Sequence, residues 1–182
     1  RNLGVMLDSD MSMTSHVASI SSSTNYHLRN IARIRRFIDR DTCKQAVRAL
    51  ITSRLDYCNS LLINIMAKNI KKLQKIQNRS ARLIFLANRR VNTSPLIKEL
   101  HWLPVKERIL FKTVLLVYRC LNNTAPIYLT ELLQIYVPSI NLRSGHDQPR
   151  LVSNRTFNTF GDCAFQNAAP RVWNNLPVTL RK

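Results

Sequence analysis

The chain has 182 residues, with 28 basic against 10 acidic side chains, a formal charge of +18 and a mean hydropathy of −0.16. At roughly 100 to 200 residues per domain, that length allows one domain or two small ones, and 45% apolar residues supply a core and exclude disorder throughout. No apolar run approaches the ~20 residues of a membrane span, and only three glycines argue against a sheet-rich fold with many tight turns.

A first residue of Arg rather than Met reads as a piece of something longer. Leu3–Leu7 (LGVML) is apolar with a glycine and predicts a short N-terminal strand, followed by a turn at Asp8, Ser9 and Asp10. From Ser15 to Phe37, the residues Val17, Ile20, Leu28, Ile31, Ile34 and Phe37 recur at helical spacing. Asp39 or Asp41 can cap a second helix, which carries Val47, Leu50, Ile51, Leu55, Cys58, Leu62 and Ile65 inward. A third helix, from about Asn69 to Leu86, buries Ile70, Leu73, Ile76, Leu83 and Ile84. Pro95 suits the first position of a short helix ending near Leu100. Val105 to Leu121 is apolar around nearly its whole circumference, which predicts a helix at the centre of a bundle. Pro126 opens another short helix toward Gln134. Beyond Ile135, the prolines and scattered apolar residues predict an irregular tail, with short strands near Leu151 and Phe157 and a last helix from about Asp162 toward Trp173. The expected fold class is mainly α, a helical bundle with one short N-terminal strand and an irregular C-terminal segment. Its expected divisions are 1–12, 13–90, 91–134 and 135–182.

The charge is unevenly spread. Between Asp56 and Glu99 there is no acidic residue, while nine lysines and arginines, Arg89 and Arg90 among them, lie there. Lys68, Lys72, Lys75, Arg79 and Arg82 are spaced 4, 3, 4 and 3 apart, which places them in one stripe on the third helix. Arg29, Arg33, Arg36 and Arg40, spaced 4, 3 and 4, repeat the design on the first. A solvated outer face is the plain reading of one such stripe. Two stripes of mutually repelling charge are a local conflict that a sugar–phosphate backbone relieves. Side chains of this kind grip phosphate, so they predict affinity and salt dependence rather than choice of sequence.

Metal and catalytic chemistry find little support. Cys43, Cys58, Cys120 and Cys163 lack the short spacing of a zinc site, and scattered thiols in so basic a chain fit a reducing, intracellular compartment. Asp8 and Asp10 read as turn and cap, because two-metal chemistry needs further converging carboxylates. No glycine-rich phosphate loop or nucleophile motif is present, so no catalytic residue, metal or cofactor is assigned to this chain. Trp102 and Trp173 read as packing anchors.

An ordered series of fragments then points to a family: Asn2–Leu3–Gly4–Val5, HLRNIARIR (27–35), TSRLDYCNSLL (52–62), LQKIQNRSARLI (73–84), LHWLPVKERILFKTVLLVYRCLN (100–122), APIYLTELL (125–133), LRS (142–144) and RVWNNLP (171–177). Together they resemble the carboxy-terminal third of the reverse transcriptases of non-LTR, LINE-type retrotransposons of the jockey and chicken-repeat kind. The resemblance implies an RNA-directed DNA polymerase whose catalytic palm carboxylates, with their Mg²⁺, belong to the full-length parent and are missing here. It implies that Leu3 and Gly4 match the primer-grip strand at the end of the palm (1–12). It places the two basic helices in a thumb that clasps the template–primer duplex (13–90) and makes the later helices a family-specific extension. The implied partners are RNA, DNA, RNA–DNA hybrid and the palm and fingers of the same polyprotein, in nucleus and cytoplasm and away from membranes. Two other classes are open: a helical protein–protein module whose basic faces meet an acidic partner, and a divergent polymerase or nuclease fragment using Asp8 and Asp10.

Overall fold

Helices carry most of the chain in the computed structural model, which describes residues 2–137, 150–156 and 159–181. They are α1 (Thr14–Ile34), α2 (Arg40–Val47), α3 (Ser53–Asp56), α4 (Ala67–Phe85), α5 (Ser94–Glu99), α6 (Val105–Leu121), α7 (Ile127–Thr130), α8 (Thr159–Cys163) and α9 (Phe165–Asn174). The mainly helical class read from the periodicity is therefore the observed one. No helix among the described residues is long and apolar enough to cross a membrane.

The strand expected over Leu3–Leu7 is replaced by a turn. Asn2 and Val5 exchange two backbone N–H···O bonds of 2.8 Å around Leu3 and Gly4, whose φ values of 44° and 85° are those of a type I′ turn. Gly4 takes its positive φ freely, and Leu3 is drawn into the left-handed region with it. The short strand expected near Leu151 is a single antiparallel bridge to Ile135. Segment 138–149 and the strand expected near Phe157 lie outside the described residues.

The chain divides into two units, Arg1–Ile109 and Leu110–Lys182, and the division falls inside α6. In the first unit, α1 buries Val17, Ile20, Leu28 and Ile31, α2 buries Val47, and α4 buries Leu73, Ile76 and Ile84; these three helices pack on one another. A π-helical turn, Arg48–Thr52, links α2 to α3. Its extra residue rotates the register, so Ile51 and Leu55 point inward while Leu50, expected inside, is exposed. In the second unit, Trp173 packs with Val117, Leu151 and Ala169. The Asn174 amide pairs with both the N–H and the carbonyl of Leu151, at 3.0 and 2.8 Å, as a neighbouring strand would. Helix α6 is not the enclosed rod its composition predicts. Val105, Ile109, Thr113, Val117 and Cys120 form its buried stripe, whereas Phe111 and Tyr118 are exposed.

Candidate nucleic-acid interface

Helices α1 and α4 lie side by side and run in the same direction, fastened at both ends. At their starts, the buried Asn69 donates its side-chain N–H to Thr14 Oγ1 at 3.1 Å. At their ends, the buried Arg35 donates from Nε to the Leu83 carbonyl at 3.0 Å and from Nη2 to the Ile84 carbonyl at 2.7 Å. Its Nη1 reaches the Ile38 carbonyl at 2.8 Å. The Leu83 and Ile84 carbonyls belong to the last turn of α4, which lacks partners within its own helix, and the guanidinium also meets the negative end of that helix.

The acidic residues at the helix starts are occupied by capping. Asp8 accepts the N–H groups of Met13 and Thr14 at 3.1 and 3.2 Å and the Ser12 hydroxyl at 2.7 Å. The Ser12 bond does most to hold the Asp8 carboxyl below its ordinary range. Asp39 accepts from Asp41 and Thr42 at the start of α2. Among the described residues, no group of three His, Cys, Asp or Glu side chains is placed to hold a metal ion.

A groove runs between α1 and α4. One stretch, of 440 Å³, is lined by Ala18, Ser21 and Asn25 from α1 and by Lys72, Lys75 and Arg79 from α4. The next, of 870 Å³, shares Lys75 and Arg79 and continues past Ala32 to Arg82 and Arg89. Along α1, from Ala18 to Ala32, it covers about 21 Å at ~1.5 Å per residue. Among the described residues no carboxylate lines it. Arg79 Nη1 donates to Asn25 Oδ1 at 2.6 Å, and Arg82 donates from Nε and Nη2 to the Val91 carbonyl at 3.3 and 3.1 Å. Both guanidinium groups are thus oriented by neutral oxygens. Their charge stays uncompensated, and each of these five-donor forks keeps N–H groups to spare.

The predicted basic residues divide accordingly. Lys72, Lys75, Arg79 and Arg82 line the groove, and Lys68 is exposed one turn earlier on α4. Arg29 is exposed between the lining positions Asn25 and Ala32, so helical geometry sets it at the rim, with the exposed Arg33 further round. There the α1 row stops, which corrects the expectation of a stripe reaching Arg40. Helix α1 ends at Ile34, and Arg36 sits in a 3₁₀ turn with its guanidinium 4.8 Å from the centre of the Phe37 ring. Ile38 is extended, and Arg40 opens α2, lying over the Phe85 ring and paired with Glu99 at 2.5 Å. Leu3 and Gly4 occupy the I′ turn, where the Leu3 carbonyl accepts the Tyr57 hydroxyl at 2.6 Å.

Arg89 and Asn25, which bear on the charge of the groove, are not among the site residues predicted from sequence. Arg89 had a signal, since it lies in the acid-free stretch. Asn25, which aims Arg79, had none, being a neutral residue in a serine-rich segment. Comparison of the chain with known protein families, curated proteins and solved structures gives no match.

Proposed function

We propose that this chain is the nucleic-acid-clasping portion of a LINE-type RNA-directed DNA polymerase, without the palm carboxylates that carry the chemistry. The observation that supports it is the α1–α4 groove, two of whose cations, Arg79 and Arg82, are oriented by neutral acceptors, and whose lining among the described residues holds no carboxylate. A phosphate backbone supplies the missing anions and gains entropy by shedding its counterions as it binds. The tight turn at Leu3–Gly4 is the primer-grip-like element in this reading. The partners are RNA, DNA and RNA–DNA hybrid, together with the palm and fingers of the same polyprotein, which bring the Mg²⁺ site. The setting is nuclear and cytoplasmic, with the cysteines reduced.

The experiment is a salt titration of binding to duplex nucleic acid. Each neutralised phosphate contributes about 0.9 to the log–log slope on B-form DNA. Replacing Lys72, Lys75, Arg79 and Arg82 together with glutamine is expected to flatten that slope by about 3 to 4. An unchanged slope removes the groove from this function.

A further inference from the structure

One end of the groove carries more than phosphate binding requires. Leu86 is the residue that follows α4, with φ 53° and ψ 30°, in the left-handed region where glycine or asparagine sits with least strain. The Ala87 N–H donates to the Arg82 carbonyl at 2.9 Å and closes the helix end around it. Leu86 is 68% exposed. A strained backbone that presents an exposed aliphatic group is unfavourable to folding on both counts, and this one lies in the groove wall. With Ala32, Leu83 and Ala87 it makes an apolar floor, and Lys75, Arg79, Arg82 and Arg89 line the same stretch.

A duplex keeps its base faces stacked inside and exposes only base edges, sugars and phosphates, so an apolar floor has no base face to cover. An unpaired strand offers base faces and phosphates together. An apolar protein segment laid on the same floor would take the surrounding cations out of water with nothing to pair them, which is costly. We propose that this end of the groove takes an unpaired strand of nucleic acid, its bases against Leu86 and the neighbouring aliphatic groups and its phosphates on Lys75, Arg79, Arg82 and Arg89. This rests on the nucleic-acid reading above and narrows it: the cations meet the phosphates of either form, and Leu86 adds a contact that only an unpaired strand can use.

The test compares an oligo(dT) with a blunt duplex of equal length, using the full chain at one salt concentration and fluorescence anisotropy. Leu86→Gly and Leu86→Asn both suit a left-handed residue, so both are expected to melt at the parent temperature or higher. Both are expected to weaken oligo(dT) binding about fivefold, the value of partly covering one leucine side chain, and to leave duplex binding unchanged. Equal loss on the two probes, or no loss on either, overturns the proposal. So does self-association that depends on Leu86 in sedimentation, which would make the floor a contact between copies of the chain. If the parent protein binds neither probe, the nucleic-acid reading itself falls. If the four-glutamine variant loses both probes while the Leu86 variants lose neither, the groove stands and only its single-strand assignment falls.

Discussion

The basic rows of α1 and α4 share a spacing and differ in what becomes of them. On α4 the helix runs unbroken from Ala67 to Phe85, so cations three and four apart stay on one face and four of them reach the groove. On α1 the helix stops at Ile34, and the next three arginines take three separate roles. Arg35 turns inward to close α4, Arg36 lies over Phe37, and Arg40 meets Phe85 and Glu99. Spacing thus defines a charged surface only while the backbone stays helical. A cation is available to a ligand only when its hydrogen bonds go to neutral acceptors or to water.

The largest effect expected from testing this contrast is at Arg35. Arg35→Met takes the guanidinium donor from the Ile84 carbonyl and leaves the Leu83 carbonyl only the Leu86 N–H at 3.4 Å, and is expected to cost about 3 kcal/mol in denaturant unfolding. Arg33→Met, two residues away and exposed, should stay within about 0.5 kcal/mol. Comparable losses at the two positions would mean that Arg35 is not the fastening between the helices.

Next come the rows themselves. Replacing Arg29, Arg33 and Arg36 with glutamine is expected to flatten the salt slope of nucleic-acid binding by only about 1, because Arg29 alone stands at the groove rim. A flattening equal to that of the α4 set would erase the distinction between them. Arg40→Gln should leave the slope unchanged and cost less than about 1 kcal/mol of stability, since its partner Glu99 and Arg40 itself are about half exposed.

The smallest effect is local and concerns how the two helices begin. Burial holds the His16 imidazole below its ordinary value of 6.5, and its Nε2 has no hydrogen-bond partner among the described residues. The fold therefore favours the neutral ring, and that contribution is present above about pH 6.5 and lost as pH falls below it. Asp8, held below its ordinary 3.8, keeps its contribution until more acid conditions. The start of α4 is held by the untitratable Asn69. Lowering the pH from about 7.5 to about 5 should therefore speed amide exchange, corrected for intrinsic rate, in the first turn of α1 more than in that of α4. Equal acceleration would remove His16 as the cause.

Much of the helical layout was legible because apolar residues three and four apart commit a segment to one buried face. Leu73, Ile76 and Ile84 predict α4, and they are buried. The end of α1 was not legible, since Ile34 to Ile38 contains neither glycine nor proline. What accompanies that end is Arg35 reaching carbonyls almost fifty residues away and Asp39 starting the next helix. The apolar residues of the N-terminal run predict a strand, yet its single glycine makes the turn. Phe111 and Tyr118 on α6 were expected inside because hydrophobicity was the only guide; whether an apolar side chain is covered depends on which neighbours reach it.

By itself the sequence determined that this protein is helical, strongly cationic and striped with charge, because periodicity and composition are properties of short stretches of chain. Only the tertiary structure decided which arginines remain available to a ligand, that Asn25 and the Val91 carbonyl aim two of them, and that a strained, exposed leucine stands beside them. Those outcomes depend on hydrogen-bond partners and solvent exposure, which residues distant in sequence supply only when the chain has folded.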